Sequence, residues 1–315
     1  CSSDLTCQPS KREVGVCKQM NLEGLTTEAR NEATKKIDQV STLEMVTLIN
    51  QEDQKVAQAI EKVLPQIAAA IDAAAERFKK GGRLIYCGAG TSGRLGALDA
   101  IELTPTYSVS PERAFGILAG GEKAMYQAIE GAEDSKELAI EDLTQHQLTA
   151  RDVVIAIAAS GRTPYAVSAI EYGKKVGALT ISVTCNNQSP MNQLAEIGIA
   201  PIVGPEVITG STRMKAGSAQ KMVLNMFSTG IMVKVGNIYQ NLMVNVQPTN
   251  EKLIQRATNI IKEAAEIEES QAKEYLEAAQ LEVAPAIVMA KAHVDFQKAK
   301  QLLAEHDGRI SEVLA

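Results

Sequence analysis

The chain has 315 residues, 45% hydrophobic and 22% charged, with a net charge of −6. That is globular composition, long enough for one large domain or two smaller ones. It holds no long basic run and no apolar stretch near the roughly 18 residues of a membrane span, which argues against nucleic acid and membrane as partners. Aromatics make up 3% and Trp is absent, so the core must be built from Ala, Val, Ile, Leu and Met.

Residues 1–19 are polar, aperiodic and carry Cys1, Cys7 and Cys17; they are expected to be a disordered extension ahead of Met20. Residues 20–80 follow a helical pattern. Ser41 and Thr42, with Glu44 behind them, resemble a capped helix start. Val56, Ile60, Val63, Leu64, Ile67 and Ile71 then recur at three- and four-residue steps. Pro65 either separates two helices or kinks one. Gly81 and Gly82 close the segment.

A short apolar run over 84–87 reads as a buried strand. Gly88, Gly90 and Gly93 follow, with Thr91 and Ser92 between them, and Leu95 to Ile101 read as a helix. Such a strand–turn–helix unit aims free backbone N–H groups and a helix dipole at one point, where a phosphate can sit. It is equally a tight turn with no ligand. Further strands are expected over 115–118, 152–158, 179–183 and 199–203. Helices are expected from Met125 through Asp134, from Tyr165 to Val176, and through Lys221 to Val235. Strands alternating with helices imply a parallel sheet covered on both faces.

Two more loops repeat the first. Ser160, Gly161, Arg162 and Thr163 follow a strand and lead into a helix. Gly210, Ser211, Thr212, Arg213 and Lys215 do the same. Ligands of open parallel sheets bind beyond the carboxyl ends of the strands, so the three loops can converge on one anion. Residues 251–315 carry no strand pattern. Leu253, Ile254, Ala257, Ile260 and Ile261 share one helical face, and three shorter helices follow, which gives a small helical bundle. Cys87 and Cys185 sit in apolar runs as small hydrophobes, no C-x-x-C pair occurs, and the three His are widely spaced. Zinc is therefore not expected, and the cysteine usage fits a reducing cytoplasm.

Four motifs carry a resemblance: GAGTSGRLGALDAIE at 88–102, AGGEKAMYQAIEGAEDS at 119–135, AASGRTPY at 158–165 and GPEVITGSTRMKAGSAQK at 204–221. Together they resemble the N-acetylmuramic acid 6-phosphate etherases, a sugar-isomerase (SIS) family related to the glucokinase regulatory protein, over roughly residues 20–315. The resemblance implies a three-layer α/β/α SIS domain with a parallel sheet and an N-terminal helical arm over 20–250, and a helical C-terminal subdomain over 251–315. It implies cleavage of the C3 lactyl ether of a sugar phosphate by elimination and hydration, using carboxyl groups and neither metal nor redox cofactor. Glu102 matches the family's proton donor and Glu133 its second active-site glutamate. The acid must hold its proton near neutral pH, which calls for partial burial or a nearby carboxylate. Gly90, Thr91, Ser92, Ser160, Arg162, Thr163, Ser211, Thr212 and Lys215 are the candidates for holding the substrate. A homodimer, with the site completed across its interface, is also implied. The context of Glu102 departs from the family's Ser-Glu-Cys-Pro: here Ile101 precedes it and Leu103 and Thr104 follow, with Pro105 kept. A non-catalytic sugar-phosphate sensor is the competing expectation.

Overall fold

The computed structural model describes residues 29–129 and 131–315, so the expected extension at 1–19 lies outside the described residues. Helix α1 (Thr42–Glu61) starts where the cap pattern puts it: Ser41 Oγ accepts a hydrogen bond from the Glu44 N–H at 3.3 Å. Pro65 does not kink one long helix. It stands in the first turn of α2 (Leu64–Lys79), where a missing N–H breaks no helical bond.

The sheet domain then runs β1 (Leu84–Gly88), α3 (Gly90–Tyr107), β2 (Ala114–Leu118), α4 (Lys136–Gln145), β3 (Val153–Ile157), α5 (Pro164–Val176), β4 (Leu179–Val183), α6 (Pro190–Leu194), β5 (Ile197–Ile199) and α7 (Lys215–Lys234). The five strands are parallel in the order β2-β1-β3-β4-β5. Alternate residues of each strand face opposite sides. Leu84, Tyr86, Val153 and Ile155 join the core shared with α2, α3 and α7. Ile85, Cys87 and Val154 face the core shared with α4 and α5. The result is the expected three-layer α/β/α arrangement.

Backbone approach sets how α3 lies on β1. A Cβ on Gly93 would stand 2.5 Å from the Gly88 carbonyl oxygen, so glycine is required at that crossing. The glycine turn is therefore shorter than the sequence suggests: Gly90 is already the first residue of the helix.

Three expectations need correction. The helix expected from Met125 through Asp134 is two short 3-10 turns, Glu122–Met125 and Ala132–Asp134. Gly131, with φ of 77°, interrupts the run. The full helix in this region is α4, which Ser135 caps by accepting from the Leu138 N–H. The last strand lies earlier and is shorter than expected. Residues past Ile199 leave the ladder, and Pro201 has no N–H to offer it. Helix α7 begins earlier than expected, at Lys215.

Beyond α7 a small hairpin, β6 (Ile238–Tyr239) and β7 (Leu242–Met243), precedes five helices rather than four: α8 (Glu251–Ala265), α9 (Glu269–Ala278), α10 (Val283–Ala292), α11 (Phe296–Glu305) and α12 (Ile310–Val313). Asn250 caps α8 through the Leu253 N–H at 2.9 Å. These helices close a second core around Ile261, Leu276, Ile287 and Val288, which reaches back to Tyr239 and Val244.

Candidate functional site

In this strand order the chain leaves β1 for β2 on one side, while β3 lies on the other. A crevice opens at that reversal, beyond the carboxyl ends of β1 and β3. A cavity of about 300 Å³ occupies it. Gly90, Thr91 and Ser92 from the start of α3 line one side, and Ser160, Arg162 and Thr163 from the loop after β3 line another. Thr212 closes it from the third loop, and Glu133 and Asp134 stand at its edge.

The helix ends around the cavity differ. Helix α3 begins after Ala89, which offers no side chain to its first N–H groups, so that end is open to an anion. Helix α5 begins with Pro164 after Thr163, whose side chain makes no cap hydrogen bond. Helix α7 is closed. The fully buried carboxylate of Glu206 accepts from the Lys215 and Ala216 N–H groups at 2.9 Å each. The uncapped helix starts at the cavity are therefore those of the first and second loops, and the third loop contributes Thr212 to the lining. In the second loop Ser160 Oγ accepts from the Arg162 N–H at 3.2 Å, which tightens the turn.

Not every expected residue arrives. Lys215 is 1% exposed, and its ammonium donates to Glu52 Oε2 of α1 at 2.6 Å. It holds the signature segment to the helical arm and is not among the residues that line the cavity, where the sequence led one to expect it. Ser211 is half-buried and also off the cavity lining, and Arg213 is exposed. Glu102 sits on the exposed face of α3, roughly 18 Å along the helix from Gly90 at 1.5 Å of rise per residue. Within one chain the structure brings Glu133 to the hydroxyl-lined crevice and leaves Glu102 outside it. The partial burial expected around Glu102 is absent in the single chain: Leu103 is buried, but Ile101 is 59% exposed.

Sequence reasoning also missed residues. Arg94, one turn into α3, donates to the carbonyls of Ala124, Met125 and Gln127 at 3.0–3.1 Å, tying down the segment that leads to Glu133. Asp99 is on the buried face of α3, where Tyr86 Oη donates to it at 2.9 Å and Ser228 Oγ at 3.1 Å. Burial pushes its carboxyl up to about 6, against the pull of those two hydrogen bonds. Glu52 and Glu206 are buried acids too: Glu52 is paired with Lys215, 163 positions away, and Glu206 with the backbone at the start of α7. Among the described residues, no three His, Cys, Asp or Glu side chains gather closely enough to hold a metal ion. No helix of these residues is long and apolar enough to cross a membrane.

Residues 66–174 match the glucokinase regulatory protein N-terminal SIS domain, 135–230 the SIS domain, and 240–282 the C-terminal lid domain of glucokinase regulatory protein. A parallel five-stranded sheet with this crevice and these matches defines a protein of the SIS class. The chain is 55% identical over 295 residues to N-acetylmuramic acid 6-phosphate etherase of Lactobacillus gasseri, covering 94% of this chain and 99% of that one. It is equally 55% identical to the Clostridium beijerinckii etherase, covering 94% and 97%. The chain belongs to the N-acetylmuramic acid 6-phosphate etherase family. Solved structures of similar fold include a phosphoheptose isomerase from Francisella tularensis, at TM-score 0.44 and 14% identity over 61% of this chain and 98% of that one. Another is the Vibrio vulnificus NanR protein complexed with ManNAc-6P, at TM-score 0.45 and 15% identity over 70% of each.

Proposed function

We propose that the chain cleaves the C3 D-lactyl ether of N-acetylmuramic acid 6-phosphate, giving N-acetylglucosamine 6-phosphate and D-lactate. It is a carbon–oxygen lyase of amino-sugar catabolism. The observation that carries this is identity of 55% running across 99% of an etherase of that name. The 6-phosphate takes the open end of α3 and the hydroxyls of Thr91, Ser92, Ser160 and Thr163, with Thr212 opposite.

The chemistry needs two proton transfers. With the sugar ring open, C1 is an aldehyde and the C2 hydrogen becomes acidic. A base takes it, the C2–C3 double bond forms, the C3–O bond breaks, and an acid protonates the departing lactyl oxygen. Water then adds at C3 of the conjugated aldehyde. We assign these transfers to Glu133 and Glu102, each typically contributing about 10²–10⁴-fold.

Glu102 reaches the cavity in this reading as the partner's Glu102, in a homodimer. The face around it supports that. Leu98 is 40% and Ile101 59% exposed beside it, and Ile101 and the 88% exposed Tyr126 border a further cavity of about 980 Å³ over the β2 edge. Apolar exposure on that scale is what a second copy covers. The cytoplasm is the proposed compartment, since Cys87 and Cys185 are free thiols inside the core.

The test is release of D-lactate from N-acetylmuramic acid 6-phosphate by the pure protein, without added metal and undiminished by a chelator. The matches to domains of the glucokinase regulatory protein favour a second reading, a sugar-phosphate sensor. Sugar-phosphate binding with no lactate release selects it.

A further inference from the structure

Among the described residues, Ser92 is the cavity hydroxyl with a buried side-chain partner. Its Oγ lies 2.9 Å from Gln220 Oε1, the two residues standing 128 positions apart in the chain. Gln220 is on α7, one full turn inside the end that Glu206 closes, and is 1% exposed. With its oxygen turned to Ser92, its Nε2 is buried with no hydrogen-bond partner.

The two ends of a primary amide have the same shape, so hydrogen bonding decides which end faces which way. With the oxygen toward Ser92, two N–H groups are left dry. The serine hydrogen is then committed to the amide, which leaves Oγ only lone pairs to offer a phosphate. With the amide turned over, one Nε2 hydrogen donates to Ser92 Oγ, and the buried orphans become one N–H and the carbonyl oxygen in place of two N–H groups. That is the cheaper arrangement, because unpaired buried N–H groups are the rarer and costlier case. It also frees the Ser92 hydrogen to point into the cavity.

We propose that Gln220 is a positioning residue for substrate binding: its amide N–H fixes Ser92 Oγ as an acceptor from behind, so that the Ser92 hydroxyl donates forward to the 6-phosphate. Gln220 never touches the substrate. The proposal rests on the phosphate site described above and adds the residue that sets the direction of one of its donors.

The experiment is a double-mutant cycle with a pH profile. Gln220→Met keeps the length and removes the donor. It is expected to raise KM for N-acetylmuramic acid 6-phosphate by about 5–10-fold, the scale of one ordinary hydrogen bond between neutral groups, with kcat within about 2-fold. Ser92→Ala with Gln220→Met is expected to be no worse than Ser92→Ala alone. Gln220→Glu is the second variant. Its neutral carboxyl can donate to Ser92 and its carboxylate cannot, so its KM relative to wild type rises with pH.

Additive effects of Ser92→Ala and Gln220→Met overturn the proposal, as does a pH-independent KM ratio for Gln220→Glu; either would make Gln220 a packing residue. Thermal melting of each variant separates loss of fold from loss of binding. If the wild type releases no lactate, the etherase reading fails by itself. Binding of inorganic phosphate to wild type and Gln220→Met then still decides the role of Gln220, with a several-fold weaker Kd expected in the variant and an unchanged Kd overturning it.

Discussion

Lys215 Nζ stands 2.6 Å from Glu52 Oε2, and both side chains are almost wholly out of solvent. This ion pair joins the first residue of α7 to the middle of α1. Lys55 adds a second contact to the same carboxylate at 2.5 Å. Burial pushes the Glu52 carboxyl up, but Lys215 and Lys55 more than offset it, and its net shift is downward. A depressed carboxylate stabilises the fold above its ordinary range and loses that contribution as pH falls through its lowered value.

Removing one partner strands the other. Lys215→Met is expected to cost about 3 kcal/mol, because Glu52 keeps only its solvent-side partner Lys55. Glu52→Gln combined with Lys215→Met is expected to recover most of that loss. Denaturant midpoints check both. A Lys215→Met protein as stable as wild type, but with KM raised, would return Lys215 to the substrate site.

The two glutamates make a sharper prediction. Glu102→Gln and Glu133→Gln should each abolish lactate release while leaving sugar-phosphate affinity nearly unchanged. Mixing the two inactive proteins under conditions that exchange subunits should restore about a quarter of wild-type activity, since half the dimers are mixed and one of their two sites has both native carboxyl groups. If Glu102 serves its own chain's cavity, the mixture stays inactive.

Asp99 sets a pH dependence of opposite sign to Glu52. Its folded value of about 6 lies above the ordinary 3.8, with burial as the main cause. The folded state therefore holds this proton more tightly. The stability from this group is full below about pH 4 and is lost as pH rises through 6. Asp99→Asn stays neutral throughout. Its melting temperature is expected to be near wild type at pH 4 and to exceed it by a few degrees at pH 8, equivalent to about 1–3 kcal/mol. A constant difference across that range would show that the carboxyl does not titrate there.

Arg94 carries the fourth prediction. Its guanidinium bonds three carbonyls of the segment that leads to Glu133. Arg94→Lys retains the charge but cannot reproduce that fork. Activity is expected to fall about 10-fold or more through mispositioned groups, with melting lowered only slightly. Hydrogen exchange over 122–129 should quicken in the variant and stay at the wild-type rate over β1 and β3.

Much of this protein is legible along the chain. Four strands stand out because they are short apolar runs bounded by glycine and polar turns, a pattern that only a sheet covered on both faces can bury. Ser41, Pro65 and Pro164 mark helix starts through local stereochemistry, which needs no distant partner. The helix expected near Met125 failed because Gly131 takes a left-handed conformation there, and the last strand shifted because pairing, more than apolarity, ends a strand. The destinations of the signature residues were not legible. Thr212 and Lys215 lie three residues apart in a single motif, yet one opens on the crevice and the other on Glu52, 163 positions away. Sequence alone determined the class of fold and the hydroxyl-rich turns, because local geometry and periodicity write those into neighbouring residues. Only the tertiary structure decided which helix ends stay open, which charges are buried, and that Glu102 and Glu133 do not meet in one chain, because each depends on what packing delivers from elsewhere.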